Sequence, residues 1–128
     1  MMERYDPEIP PDPGQWLALD EDERLILVED YHSDARVRLP RAARRLHATM
    51  HAVVENQLAE NDDPVVRALS RLIKEGLSRH DAIHALGSVV ARHLYEAMKE
   101  NDTPETLRAR YYAAVERLTA AEWLRDDG

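Results

Sequence analysis

Residues 41–59 read RAARRLHATMHAVVENQLA, and this run decides the fold class. Ala42, Leu46, Met50, Val53 and Val54 fall on one arc when the run is wound as a helix, and no stretch keeps period two long enough for a strand. Pro40 suits the first turn, where a missing N–H costs nothing. On that helix His47 lies between Val54 and Leu58, His51 sits at the margin of the apolar arc, and Glu55 lies beyond it.

The helical reading extends in both directions. Downstream, Asp63-Pro64 opens a third helix that Gly76 ends, and Ser78 with Asp81 opens a fourth that reaches Lys99. Thr103-Pro104 opens a fifth, and Thr119 with Glu122 forms a capping box for a short last one. Upstream, Asp20 with Glu23 starts the first helix, which runs to Tyr31 and follows a short apolar turn, Trp16–Leu19. Short gaps after the second, third and fourth helices imply antiparallel neighbours. Pro7, Pro10, Pro11 and Pro13 keep the amino terminus out of helix and sheet interiors, so it reads as an extended arm whose Tyr5 and Ile9 lie across the body or a partner. The expected architecture is an all-α bundle of about five main helices: a proline-rich arm over residues 1–13, then a single helical-bundle domain over 14–128.

Composition narrows the function. The chain has 128 residues, which suit one core, and no cysteine, which excludes disulfides, thiolate metal sites and thiol catalysis. No apolar run spans a membrane and no signal peptide is evident, so the expected setting is the bacterial cytoplasm. Seventeen Lys and Arg against 25 Asp and Glu leave a formal charge of -8, which disfavours nucleic acid and anionic lipid. Arg36, Arg38, Arg41, Arg44 and Arg45 therefore read as partners of Asp20–Glu23, Glu29 and Asp30 rather than as a phosphate surface. No Gly-rich phosphate loop, G-x-S-x-G or H-E-x-x-H occurs.

Four of the six histidines form two pairs of equal spacing. His47, His51 and Glu55 follow one another at i, i+4 on the second helix, and His80 and His84 repeat that spacing on the fourth. Residues four apart stand one above the other on a helix, close enough to share an ion. If the second, third and fourth helices run up, down and up, His47 and His51 lie at ~9 and ~15 Å along the bundle and His80 and His84 at ~12 and ~18 Å, provided the second and fourth helices touch. Imidazole with carboxylate suits a divalent transition metal: zinc, iron or manganese. The candidate ligands are His47, His51, Glu55, His80 and His84, and affinity should fall as pH drops from 8 to about 5. His32 reads as the polar end of the first helix and His93 as part of the fourth helix's apolar arc. The alternative is a homodimeric interaction module whose histidines form a structural polar seam. Its interface would be the arm or the fifth helix, where Tyr112 points away from the face of Leu107, Tyr111, Val115 and Leu118. Gly87 reads as a close helix crossing.

The patterns H-x3-H-x3-E-x-Q and R-H-x-A-x-H-A, carried by His47, His51, Glu55, Gln57, Arg79, His80, Ala82, His84 and Ala85, resemble a family of small bacterial helical proteins of unknown function, domain-of-unknown-function family 1841. The resemblance covers residues 47–95. It implies a helical fold in which these histidines belong together, and no assigned activity.

Overall fold

The computed structural model describes residues 2–34, 40–99 and 103–127. These form seven α-helices and no strand: α1 (Pro13–Ala18), α2 (Glu21–Asp34), α3 (Arg41–Ala59), α4 (Asp63–Lys74), α5 (Arg79–Lys99), α6 (Pro104–Arg117) and α7 (Ala120–Asp127). The protein is all-α.

Local chemistry sets the helix ends. At the start of α2, Glu23 N donates to Asp20 Oδ1 at 2.8 Å and Asp20 N donates to Glu23 Oε1 at 3.0 Å, a capping box built from two carboxylates. Ser78 Oγ accepts from Asp81 N at the start of α5, and Thr103 Oγ1 accepts from Thr106 N at the start of α6. Past α4, Gly76 takes φ +112° while Leu77 N donates to Leu72 O and Gly76 N to Ile73 O, the paired bonds of a Schellman motif. Asn61 repeats the motif after α3 with φ 58°, a conformation its short polar side chain tolerates.

The described residues hold five longer helices, α2–α6, flanked by the short α1 and α7, and one reading of the chain is corrected. Trp16–Leu19 is no isolated turn: Asp12 Oδ2 accepts from Gln15 N at 3.0 Å, Pro13 occupies the first helical turn, and Trp16 is fully buried within α1. Pro13 favours this helix because its fixed φ suits a first turn. Residues 2–12 carry a turn at 7–9 but no helix or strand, and their Tyr5 and Pro7 are buried against the body.

The tertiary arrangement centres on α3 and α5, which pack directly on one another. Helices α1 and α2 lie against α3, whereas α4 and α6 lie against α5 and each other. One apolar cluster, including Val54, Leu72, Ile83, Leu86 and Val115, holds α3 to α4, α5 and α6. A second, including Tyr5, Trp16, Val28, Ala48 and Ala52, holds the amino-terminal segment, α1 and α2 to the other side of α3. A Cβ placed on Gly87 would stand 3.4 Å from Met50 Cβ, so the glycine marks a close crossing of α5 over α3. Of the arginine run, Arg36, Arg38 and the side chain of Arg41 lie outside the described residues, and Arg44 and Arg45 are exposed. No helix among the described residues is long and apolar enough to cross a membrane.

Candidate metal centre

Three helices bring five imidazoles to one place. His32 comes from the last turn of α2, His47 and His51 from successive turns of α3, and His80 and His84 from the first turns of α5. Ring centroids are 4.5 Å apart for His32 and His47, 4.6 Å for His47 and His84, 4.8 Å for His51 and His84, and 4.3 Å for His80 and His84. One ligand nitrogen from each of His32, His47, His51 and His84 lies within 4.8 Å of the others. Nitrogens bound tetrahedrally to one zinc at ~2.1 Å stand ~3.4 Å apart, so side-chain shifts of about an ångström would bring all four onto one ion.

Hydrogen bonds settle which nitrogens face inward. His32 Nδ1 lies 2.8 Å from Val28 O, and because a carbonyl only accepts, Nδ1 carries the proton and Nε2 a lone pair. His51 Nδ1 lies 3.2 Å from Tyr5 Oη, and its Nε2 lies 2.8 Å from His84 Nε2. The Nε2 atoms of His32, His47 and His80 are buried with no hydrogen-bond partner. An orphaned buried nitrogen is costly, and three of them in one cluster are compatible with an ion that accepts lone pairs.

The surroundings favour the neutral form of His47, His51, His80 and His84. Burial first, then the neighbouring His32 and His80, pushes His47 down to about 4. Burial, then His80, His47 and His32, pushes His84 down to about 3. His51 lies further below the ordinary imidazole range, from burial and then from the histidines around it. His80 is also lowered, by burial and His32 against the opposing pull of Glu8, Asp81 and Asp6. Neutral imidazole is the form that binds a metal.

The candidates from the sequence divide accordingly. His47, His51 and His84 come together as expected. His80 packs on His84 but stands outside the tight group of four. Glu55 is buried beside the cluster and turned away from it: Oε1 pairs with Arg79 Nη2 at 2.8 Å, while Oε2 accepts from Arg79 Nη1 at 2.9 Å and from Tyr5 Oη at 2.6 Å. It reaches His51 only through the Tyr5 phenol. His32 joins the group although the sequence pointed to no such role. Its signal is its place four residues after the fully buried Val28, on the inner face of α2. His93 stacks on Tyr111 with centroids 5.1 Å apart, away from the cluster. Beside the histidines lies a groove of about 620 Å³ lined by Leu46, His47, Met50, His51, Ile83 and His84, through which small molecules can approach the cluster.

Fold and site together define a helical protein with a buried multi-histidine cluster compatible with a transition metal. Comparison with known proteins gives no match to a family model, a curated protein or a solved structure.

Proposed function

We propose that this protein binds one divalent transition-metal ion through His32, His47, His51 and His84, with His80 as a further nitrogen at the edge. The observation that carries the proposal is the set of buried, unpartnered Nε2 atoms on His32, His47 and His80. A purely structural seam would be expected to satisfy its histidines by hydrogen bonding, so these atoms favour the metal over the polar-seam alternative. With Glu55 engaged elsewhere the donor set is imidazole, which suits zinc or iron better than the oxygen-preferring manganese. The resemblance of residues 47–95 to domain-of-unknown-function family 1841, and a setting in the bacterial cytoplasm, belong to the same proposal. So does self-association as a homodimer, for which Leu94, Tyr95 and Met98 offer exposed apolar surface near the end of α5.

The test is metal analysis of untagged protein followed by a zinc titration; close to one equivalent is expected, and none overturns the proposal. The pH dependence is specific to this site. Free imidazoles protonate near pH 6.5, but the lowered values of His47 and His84 hold the neutral form to greater acidity. Protonation of His47 and His84 should therefore weaken zinc binding further as pH approaches 4, beyond the fall expected between pH 8 and about 5. The same lowering acts on folding in the opposite sense. Unfolded imidazoles take up protons below about 6.5 while the folded ones resist, so stability without metal declines as pH falls from 6.5 towards 4. Chelator competition and thermal unfolding across this range measure the two effects.

A further inference from the structure

Residues 2–12 form no regular structure, yet polar contacts fasten them to α3 and α5. Tyr5 Oη donates to Glu55 Oε2 at 2.6 Å, Pro7 O accepts from Arg79 Nη1 at 2.9 Å, and Glu8 Oε1 accepts from the His80 backbone N at 2.9 Å. The Tyr5 ring is buried, with its centroid 5.7 Å from that of Trp16 and 6.0 Å from that of His51. All three attachment points, Glu55, Arg79 and His80, stand within five residues of a cluster histidine on the same helix.

The phenol has one proton to give. A 2.6 Å bond to a carboxylate is the short, charge-assisted kind, and it assigns that proton to Glu55. Arg79 holds Glu55 with two parallel bonds, so the acceptor is fixed in place. Tyr5 Oη is then left to accept from His51 Nδ1–H, and His51 presents an unprotonated Nε2 toward His84. Tyr5 does for His51 what the Val28 carbonyl does for His32. Outer partners of this kind orient a metal-binding imidazole and set its tautomer.

Resting on the metal reading above, we infer that the amino-terminal segment is part of the metal centre: Tyr5, anchored by Glu55 and Arg79, is a positioning residue that holds His51 in its ligand tautomer, and metal binding and docking of the segment reinforce one another. The coupling is reciprocal. An ion on Nε2 requires the proton on Nδ1, the docked segment supplies the acceptor for that proton, and whatever factor docking adds to metal affinity the metal adds to docking.

The test uses the full chain with zinc as the probe. Tyr5→Phe keeps the ring in its apolar seat and leaves Glu55 paired with Arg79. Its zinc dissociation constant, read by chelator competition, is expected to rise about 10–100-fold. Zinc should slow hydrogen exchange over residues 2–12 in the unsubstituted chain and do so far less in this variant. Tyr31→Phe is the packing control: that ring stacks near Tyr5 and His80, and its loss of a hydroxyl should leave zinc affinity unchanged. Glu8→Ala loosens the segment from α5 without altering a ligand or Tyr5, and should weaken zinc binding by a smaller factor, which keeps the inference testable should Tyr5→Phe fail to fold. Unchanged zinc affinity in Tyr5→Phe, or in Glu8→Ala where Tyr5→Phe does not fold, overturns the inference. An unsubstituted chain that binds no zinc overturns the metal reading itself.

Discussion

The double substitution His51→Ala with His84→Ala is expected to abolish stoichiometric metal binding while leaving the helical circular-dichroism signal intact. The two Nε2 atoms lie 2.8 Å apart, on the helix pair that forms the middle of the molecule, so their loss removes the facing pair at the centre of the proposed site. The decline should exceed the ~10–100-fold typical of losing an outer partner. Helicity should survive because two apolar clusters, neither built from these rings, hold the helices together. His32→Ala provides the sharper comparison. The geometry places its nitrogen in the same group of four as that of His47, so under the metal proposal both single variants should weaken binding alike, whereas His93→Ala should have no effect. Equilibrium dialysis with elemental analysis measures all four. Full binding by the double variant would remove the cluster from consideration as a metal site.

The second large effect is on stability. Glu55 and Arg79 form a two-pronged ion pair whose side chains are 1% and 9% exposed. Burial opposes the charge on Arg79, but the bond to Glu55 and its negative charge outweigh that cost and raise the guanidinium above its ordinary value. Glu55→Ala would strand this cation away from water and remove the acceptor of the Tyr5 phenol. A loss of about 3–5 kcal/mol is expected in urea unfolding, far above the ~0–1 kcal/mol of an exposed pair. Replacing Glu55 and Arg79 together with leucine should recover much of the loss, because no isolated charge is then buried. A loss for Glu55→Ala no larger than that of a surface pair would show that water reaches Arg79. The experiment also separates the two roles of Glu55: as an anchor for Tyr5 and Arg79 it affects stability first, whereas as a metal ligand it would affect binding without a comparable change in stability.

Much of this was legible residue by residue. The arc of Ala42, Leu46, Met50, Val53 and Val54 determined a helix, because side chains at helical spacing share one face whatever lies around them. Helix ends at Asp20, Gly76, Ser78 and Thr103 were readable for the same reason: capping bonds span only three or four residues, so the chemistry that forms them lies in the adjacent sequence. The i, i+4 pairs brought His47 together with His51 and His80 with His84 on the strength of helix geometry alone. Pro13 was misleading, since a proline that breaks a helix interior favours a first turn, and only the burial of Trp16 decides between the two.

Which face meets which was left to the tertiary structure. Spacing along one helix carries no information about the azimuth of another, so the contact of α3 with α5 that joins the two histidine pairs had to come from packing around Gly87 and Met50. The same packing carried His32 into the cluster from α2, a helix with only one histidine and hence no spacing to betray it. It also withdrew Glu55, which sits at the right interval on α3 but pairs with Arg79, 24 residues away. Tyr5 lies 46 residues from His51 and meets it only when the amino-terminal segment folds back over α3. Local sequence determined the helices and the donor types they carry; burial of two apolar clusters against α3 decided which donors share a site, because only packing brings residues distant in the chain within hydrogen-bonding range.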